Sequence, residues 1–387
     1  MSPLRIVVAL LIVSAVLFGT HYYIWARLVR DAEWPPPWRM IGTGVLIGLA
    51  SLIVVGIALR RAPRSVVAPV MWVAYSWLGL MFFLVVLLAG VDLVRGLASM
   101  WFRWSSSPPQ DPERRVALSR WLSAFVGFSA VALGGVSALN ALRTVAVKRV
   151  RIELKKLPVS ASGYRIALLS DVHVGPTIGK GFIEEIVRRV NALEPDLVAI
   201  AGDLVDGSVA ELGPLLAPLA GLRAKDGVFF ITGNHEYYSG VDEWLAFLPT
   251  LGIRVLVNER VSIGGKRGFD LAGVEDASAH RFEGHGADLP RALEGRDSSR
   301  ALVLLAHQPK AIVEAEGLGV NLQLSGHTHG GQIFPWKYAV ALDQPYVAGL
   351  YDHGNAKIYV SCGTGYWGPP MRLGAPAEIT HIELASV

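Results

Sequence analysis

The sequence is poor in two kinds of residue, cysteine and charged residues. Its 387 residues include a single cysteine, Cys362, which excludes an intramolecular disulfide framework and a zinc site built from several thiolates. Charged side chains make up 18% of the chain, whereas a soluble domain usually carries about 25%. Hydrophobic residues make up 52%, and the mean hydropathy is +0.41. These values exclude a disordered chain and argue against a wholly soluble protein.

Positive and negative residues are distributed unevenly along the chain. Residues 1–150 contain 15 Lys and Arg but 5 Asp and Glu, whereas residues 151–387 contain 21 and 27. The net charge of +4 therefore comes entirely from the first part. An acidic second part argues against a nucleic-acid partner. We expect the basic residues of the first part to meet the headgroups of a lipid bilayer, and the sequence indicates no obligate protein partner.

Four stretches of the first part lack Asp, Glu, Lys and Arg altogether, at residues 6–26, 40–59, 65–91 and 121–142. A helix needs about 20 apolar residues to cross a hydrocarbon core of about 30 Å. Only a helix satisfies its own backbone hydrogen bonds there. We therefore predict an all-α transmembrane bundle of four helices over residues 1–147 and a globular domain over residues 148–387. A transporter is disfavoured, because no charged residue inside the spans marks an ion path.

The positive residues that flank the four predicted spans are balanced, with eight on each side of the membrane. Short loops carry most weight in setting orientation. The densest short cluster consists of Arg60, Arg61 and Arg64, on the same side as both termini. We therefore expect a multi-pass protein of the cell membrane with its globular domain in the cytoplasm.

In the second part, short β-branched runs alternate with helical segments, which predicts an α/β fold in layers. The predicted strands are residues 165–170, 196–201, 228–232, 253–257, 269–272, 301–306, 321–324, 357–361 and 378–384. Helices are predicted around residues 181–193 and 209–222.

Polar residues directly follow five of these strands. They comprise two Asp, one Asn and five His, namely Asp171, His173, Asp203, Asn234, His235, His307, His327 and His329. We expect one edge of a sheet to gather them. Oxygen and nitrogen donors without thiolate suit divalent Mn, Fe or Zn rather than a structural zinc. Two metal ions in one site need a bridging carboxylate, and Asp203 is central in the chain order.

The stretches LLSDVHVG, AGDLVDG, ITGNHE, LLAHQP and LSGHTHGGQ resemble, in this order, the blocks of the calcineurin-like metallophosphoesterases. The resemblance covers about residues 160–385. It is strongest to the YaeI/YkuE-like bacterial branch and to transmembrane proteins that carry such a domain. Residues 363–379, GTGYWGPPMRLGAPAEI, look like the carboxyl-terminal signature of that branch. The resemblance implies a β-sandwich flanked by helices and two divalent metal ions, drawn from Mn²⁺, Zn²⁺ and Fe²⁺.

The resemblance also implies a role for each residue of the constellation. Residues Asp171, His173, Asp203 and His329 would hold one metal, and Asp203, Asn234, His307 and His327 the other. His235 would face the substrate as proton donor or transition-state stabiliser. The implied reaction is phosphate-ester hydrolysis by attack of a metal-bridging hydroxide at phosphorus, which requires no Ser or Cys nucleophile.

The substrate class is less well indicated. The protein phosphatase branch carries an Arg after the second Asp of its second block, but here Asp206 is followed by Gly207. That difference argues against a protein phosphatase. The resemblance to the YaeI/YkuE-like branch, together with the predicted membrane anchor, implies instead a phosphodiester or pyrophosphate at the bilayer surface, such as a lipid-linked nucleotide. Candidate rim residues for a lipid or a base are Trp336, Tyr351 and His353, with Tyr338, Tyr346 and Trp367. The open alternatives are a phosphomonoesterase and a membrane-bound metal- or nucleotide-binding regulator with little turnover.

Overall fold

A computed structural model describes residues 3–59, 62–104, 111–265 and 268–387. The chain divides into two compact units, Met1–Leu139 and Asn140–Val387. Arg60 and Arg61, on which the predicted orientation depends, lie outside the described residues.

The first unit has a long helix at each of the four predicted spans. They are α1 (Pro3–Trp25), α2 (Pro36–Ala58), α3 (Arg64–Trp104) and α4 (Pro112–Leu142). All four are long and apolar enough to cross a membrane, and α1 continues as a π-helical turn over Ala26–Arg30. Helices α3 and α4 extend beyond their charge-free runs and include charged residues such as Asp92 and Arg120.

Polar side chains within this unit are paired with one another. Asp92 of α3 accepts hydrogen bonds from the Tyr23 hydroxyl at 2.8 Å and from Arg27 Nε at 3.0 Å. Trp77 donates its indole N–H to His21 at 2.9 Å. Such pairing is expected, because hydrocarbon offers no hydrogen bonds in exchange.

The second unit contains two six-stranded sheets and short helices. Its strands are β1 (Ala146–Leu154), β2 (Tyr164–Leu169), β3 (Leu197–Ala201), β4 (Val228–Ile231), β5 (Ile253–Val255), β6 (Glu259–Ile263), β7 (Phe269–Gly273), β8 (Leu302–Leu305), β9 (Leu322–Ser325), β10 (Gly349–His353), β11 (Ala356–Val360) and β12 (Glu378–Ser386). One sheet has the order β1-β12-β2-β3-β4-β5 and the other β10-β11-β9-β8-β7-β6. The helices are α5 (Lys180–Asn191), α6 (Val209–Leu216), α7 (Asn234–Tyr238), α8 (Val241–Phe247), α9 (Leu289–Ala292), α10 (Ile312–Gly317) and α11 (Lys337–Val340).

The two sheets pack face to face around a shared core. Ile166 and Leu168 of β2 pack in one cluster with Val303 and Leu305 of β8. Alternate strand residues such as Ala167 join a second cluster, together with apolar residues of α5 and α6. Because successive strand residues point to opposite faces, β2 is buried on both. The predicted β-sandwich flanked by helices is confirmed.

Two details differ from the sequence-based expectations. The five strands that precede the polar residues do not share one sheet: β2, β3 and β4 lie in the first sheet, and β8 and β9 in the second. Strands buried on both faces read alike in sequence, so the pattern does not reveal their sheet. In addition, β1, β6 and β10 were not predicted. Strand β1 is rich in charge and begins at Ala146, so the predicted boundary at 147/148 falls inside it.

Candidate metal centre

The ends of β2, β3, β4, β8 and β9 bring the predicted Asp and His residues together. Three overlapping groups have ligand atoms within 4.8 Å of one another: Asp171, His173 and His329; His173, Asp203 and His235; and Asp203, His307 and His327. The first and third groups each contain three of the four residues in one of the ligand sets that the resemblance implies, and Asp203 is common to the second and third groups.

The backbone at these positions is unusual. Five non-glycine residues have left-handed φ values of 51° to 70°, namely Asp171, His173, Asp203, His327 and His329. This region costs a non-glycine residue about 1–2 kcal/mol, and such residues concentrate at functional sites. A hydrogen bond between two of these turns helps to hold them: the His327 N–H donates to Asp171 Oδ1 at 2.9 Å. This conformation lets short turns direct their Asp and His side chains toward one centre.

Two glycines allow the strand ends to approach one another. Gly202 has φ of 86°, and a Cβ there would lie 2.7 Å from His307 Nδ1. A Cβ on Gly233 would overlap the Asp203 carboxylate. Both positions therefore require glycine for close packing around Asp203.

The first half of the centre is formed by Asp171, His173 and His329. His173 Nε2 lies 3.0 Å from His329 Nε2, and His329 Nε2 lies 3.5 Å from Asp171 Oδ1. The other ring nitrogen of His173 donates to Asp206 Oδ1 at 3.0 Å. With Nδ1 protonated, Nε2 of His173 presents its lone pair to the centre, as in metal-ligating histidines.

The second half contains donor atoms that lack partners. His307 Nδ1 donates to the carbonyl of Ala201 at 2.7 Å, which leaves its Nε2 unprotonated in the neutral ring. That Nε2 lies 3.1 Å from Asp203 Oδ2. Burial lowers the pKa of His307, but the Asp203 carboxylate outweighs burial and raises this pKa well above its usual range, so a cation bound here would displace a proton from the ring. Within the described chain, His307 Nε2 and Asn234 Oδ1 are buried without a hydrogen-bond partner. Because such atoms are costly to bury unsatisfied, this donor set fits a divalent cation.

Electrostatics keep the ligands in usable protonation states. Burial lowers the pKa of His327 to about 4, with help from the charge on His307. Burial and His173 likewise hold the pKa of His329 well below its usual range. Both rings are therefore neutral at physiological pH, which is the form that binds metal. Burial opposes ionisation of Asp203, but His307 outweighs it and keeps the pKa of Asp203 well below normal.

His235 differs from the other imidazoles because it is held in the charged form. Burial lowers its pKa, but the hydrogen bond to Asp206 at 2.6 Å and the carboxylate charges outweigh burial and raise the pKa to about 9. A protonated imidazole is able to donate a proton to a leaving oxygen. Asp206 was missed as a site residue by sequence reasoning, although it follows Asp203 by three residues in the same block.

Two further buried residues support the centre and were not identified from the sequence. Glu236 is 1% exposed and accepts from the Asp203 N–H at 3.0 Å and the Gly233 N–H at 2.6 Å, which ties the ends of β3 and β4 together. Arg372 is also 1% exposed. It donates to Ala375 O at 2.8 Å, and its Nη2 lies 3.4 Å from His329 Nδ1. A buried charge is easily overlooked in a sequence because its neighbours come from distant segments.

The candidate rim residues lie in different surroundings. Tyr351 stacks on Tyr346 with ring centroids 4.6 Å apart, and His353 Nδ1 lies 3.0 Å from the Tyr346 hydroxyl. Trp336 is 56% exposed and immediately precedes α11. Trp367, by contrast, packs against His235 with centroids 5.6 Å apart.

Comparison with known proteins agrees with this geometry. Residues 164–331 match the calcineurin-like phosphoesterase family. The chain is 38% identical to a transmembrane protein with metallophosphoesterase domain from Bos taurus, over 98% of this chain and 89% of that protein. It is 43% identical to an uncharacterized metallophosphoesterase of Helicobacter pylori, over 70% of this chain and 73% of that one. Identity to the uncharacterized metallophosphoesterase YkuE of Bacillus subtilis is 28%, over 70% of this chain and 98% of that one.

The similarity to the Bos taurus protein includes the helical unit as well as the domain with the metal centre. Members of the matched family depend on a dinuclear metal site, and the described residues supply candidate ligand clusters for one. The chain therefore belongs to the calcineurin-like phosphoesterase family, as a membrane protein with a metal-dependent phosphoesterase domain.

Proposed function

We propose that the protein is a membrane-anchored two-metal phosphohydrolase that cleaves phosphodiester or pyrophosphate bonds, with a lipid-linked nucleotide among its candidate substrates. The observation that carries the proposal is the pair of buried, unpartnered donors Asn234 Oδ1 and His307 Nε2 beside Asp203. A buried orphan pair is costly unless a ligand satisfies it.

The proposed ligand sets follow the geometry. Residues Asp171, His173, Asp203 and His329 would hold the first metal, and Asp203, Asn234, His307 and His327 the second. When bound, two such cations lower the pKa of a water and neutralise charge on the phosphate oxygens. Asp206 orients the ring of His235 and holds its proton, so that His235 donates to the leaving oxygen.

The preference for a diester rests on the cations near the site. Gly207 stands where an Arg would grip a phosphomonoester in the protein phosphatase branch. Arg372 does not replace it, because the guanidinium is buried and donates to the carbonyls of Gly365 and Ala375. A phosphate with one fewer negative charge needs less compensation, which suits a diester.

The bilayer is the partner that the helical unit implies, and we propose a cytoplasmic position for the phosphoesterase domain. Basic residues follow α4 directly, at Arg143, Lys148, Arg149 and Arg151, and such residues are favoured on the cytoplasmic side. Protease access to a carboxyl-terminal tag in intact and opened cells tests this. Cleavage of the tag in intact cells contradicts the cytoplasmic assignment.

Metal dependence and ester preference test the enzymatic proposal together. The full-length protein in detergent is stripped with a chelator, reloaded with Mn²⁺ or Zn²⁺, and assayed on bis-p-nitrophenyl phosphate and p-nitrophenyl phosphate. Metal-dependent turnover with higher kcat/KM on the diester supports the proposal. A higher kcat/KM on the monoester indicates a phosphomonoesterase. Metal uptake without hydrolysis of either substrate indicates a regulator with little turnover.

A further inference from the structure

Two exposed aromatic rings flank His235. Tyr238 lies with its ring centroid 5.5 Å from that of His235, at an interplanar angle of 70°. Trp367 lies on the same imidazole at 5.6 Å and 73°. Tyr238 is 60% exposed and Trp367 54% exposed. Large aromatic side chains are normally buried or placed in recognition sites, because their exposed faces cost hydrophobic free energy.

The backbone at Trp367 is held by the side chain of Gln332. Gln332 Oε1 accepts from the backbone N–H of Trp367 at 3.0 Å, and Gln332 Nε2 donates to the backbone carbonyls of Trp367 at 3.0 Å and of Pro369 at 3.1 Å. Gln332 lies three residues after His329, so these bonds connect the chain at Trp367 to the segment that carries a candidate metal ligand. The indole itself packs against His235, and a ring whose backbone is already placed loses less conformational entropy when a ligand stacks on it.

Tyr238 is fixed to the centre from the other side. It is the last residue of α7, which begins at the candidate ligand Asn234. The same helix carries His235, whose N–H donates to Asp203 Oδ1 at 2.8 Å. The two rings therefore keep their positions relative to the proton donor through independent segments of chain.

We propose that Tyr238 and Trp367 form a subsite for the leaving half of the substrate and that this half carries a planar aromatic group such as a nucleobase. The proposal rests on the function proposed above, in which His235 protonates the leaving oxygen. The group attached to that oxygen must then extend past the imidazole, where the two rings stand. Stacking on an aromatic side chain contributes about 1–3 kcal/mol per base, and any base provides the planar face.

Binding of two product-like ligands that differ only in the base tests the subsite. AMP and ribose 5-phosphate are titrated calorimetrically into the full-length, metal-loaded protein in detergent. We expect AMP to bind more tightly than ribose 5-phosphate. Trp367→Ala should weaken AMP binding by roughly 5- to 150-fold and leave ribose 5-phosphate unchanged. Trp367→Phe and Tyr238→Phe retain a ring and should keep most of the affinity, whereas Tyr238→Ala should resemble Trp367→Ala.

Three results overturn the proposal. The first is equal affinity of the native protein for AMP and ribose 5-phosphate. The second is a Trp367→Ala effect that is the same for both ligands, which indicates a general structural role. The third concerns octyl phosphate, titrated in the same way. If Trp367→Ala loses octyl phosphate binding but keeps AMP binding, the rings bind an alkyl chain rather than a base. Leu342→Ala, at a side chain 91% exposed, controls for loss of any exposed apolar group. The titration needs no turnover, so its failure is distinguishable from absent hydrolysis.

Discussion

The two units of this protein both bury apolar residues but differ in what else they expose and bury. In the helical unit, large apolar residues such as Trp104, Trp121 and Phe128 are 75–81% exposed. In the phosphoesterase unit, Asp171, Glu236 and Arg372 are at most 1% exposed. Apolar exposure costs little where the surroundings are hydrocarbon, whereas in water it is the dominant penalty. The comparison shows that composition follows the solvent of each unit.

The same comparison indicates which of the two units contains the functional site. In the helical unit, polar side chains find partners within the protein, as Asp92 pairs with Tyr23 and Arg27 and as Arg120 donates to the carbonyl of Ala32. In the metal centre, Asn234 Oδ1 and His307 Nε2 are buried without a hydrogen-bond partner among the residues that the structure describes. A polar group buried at a cost and left unsatisfied indicates a missing ligand rather than a stabilising interaction.

The largest expected effect comes from Asp203→Asn, which breaks the proposed overlap of the two ligand sets. An amide cannot bridge two cations as a carboxylate does, so we expect turnover to fall to background and metal content to fall from about two ions per chain. Elemental analysis and hydrolysis of bis-p-nitrophenyl phosphate check this. Chelation should lower the melting temperature of the native protein but not of the variant, since only bound metal stabilises the fold.

Asp242→Asn is the matched control for that prediction, because the Asp242 side chain is 87% exposed. It should retain both metal content and turnover. Retention of two metals and full activity by Asp203→Asn would show that Asp203 is not a shared ligand.

His235→Ala should separate chemistry from metal binding. We expect kcat to fall by about 10²–10⁴-fold, which is typical for removal of a general acid. Metal content should stay near that of the native protein, because Asp206 still holds the ring of His173. Loss of metal from this variant would refute the proton-donor role and make His235 a ligand. A substrate with a low leaving-group pKa should be less affected than one with a high leaving-group pKa.

Arg372→Met should have a smaller effect, confined to the first half of the centre. Without the guanidinium, the loop carrying His329 loses a hydrogen-bonding partner, and we expect metal affinity to fall by about 10- to 100-fold. Competition with a chelator of known affinity measures this. Arg372→Lys keeps the charge but not the planar fork, so it should restore affinity only in part. If both variants bind metal with the affinity of the native protein, then Arg372 does not position His329.

The smallest effect is expected in the helical unit. Asp92→Asn weakens the contacts to Tyr23 and Arg27, and we expect about 1 kcal/mol of destabilisation with unchanged kcat/KM. A matched Asp31→Asn variant removes the other carboxylate near Arg27. Altered turnover in the Asp92 variant would show that the polar contacts of the first unit influence the centre.

Cys362 provides a reporter for the second unit in the same experiment. It is the single thiol of the chain, and burial together with Glu378 raises its pKa to about 11. The native thiol is therefore neutral at pH 8, and alkylation should be slow and accelerate up to about pH 11. Asp92→Asn should leave this rate unchanged. Faster labelling in the variant would mean that the two units do not unfold independently.

Much of the fold follows from local patterns. The four long helices were predicted, although α3 and α4 extend well beyond the predicted spans, and most strands of the second unit were predicted within a few residues, because apolar runs and β-branched runs reflect burial directly. Strands β1, β6 and β10 were not predicted. Of these, β1 carries alternating charge, and its pairing with β12, more than 200 residues away, is what makes it a strand.

The sequence by itself determined the two kinds of solvent that the chain meets and the set of candidate ligands. Both depend on residue type and on short spacings within single segments. Only the tertiary structure decided that the ligands come from two facing sheets, that Asp206 joins His173 to His235, and that Arg372 lies behind His329. Those relations depend on which distant segments meet. The sequence of a strand that is buried on both faces does not show which strands lie beside it, so these relations are determined by packing alone.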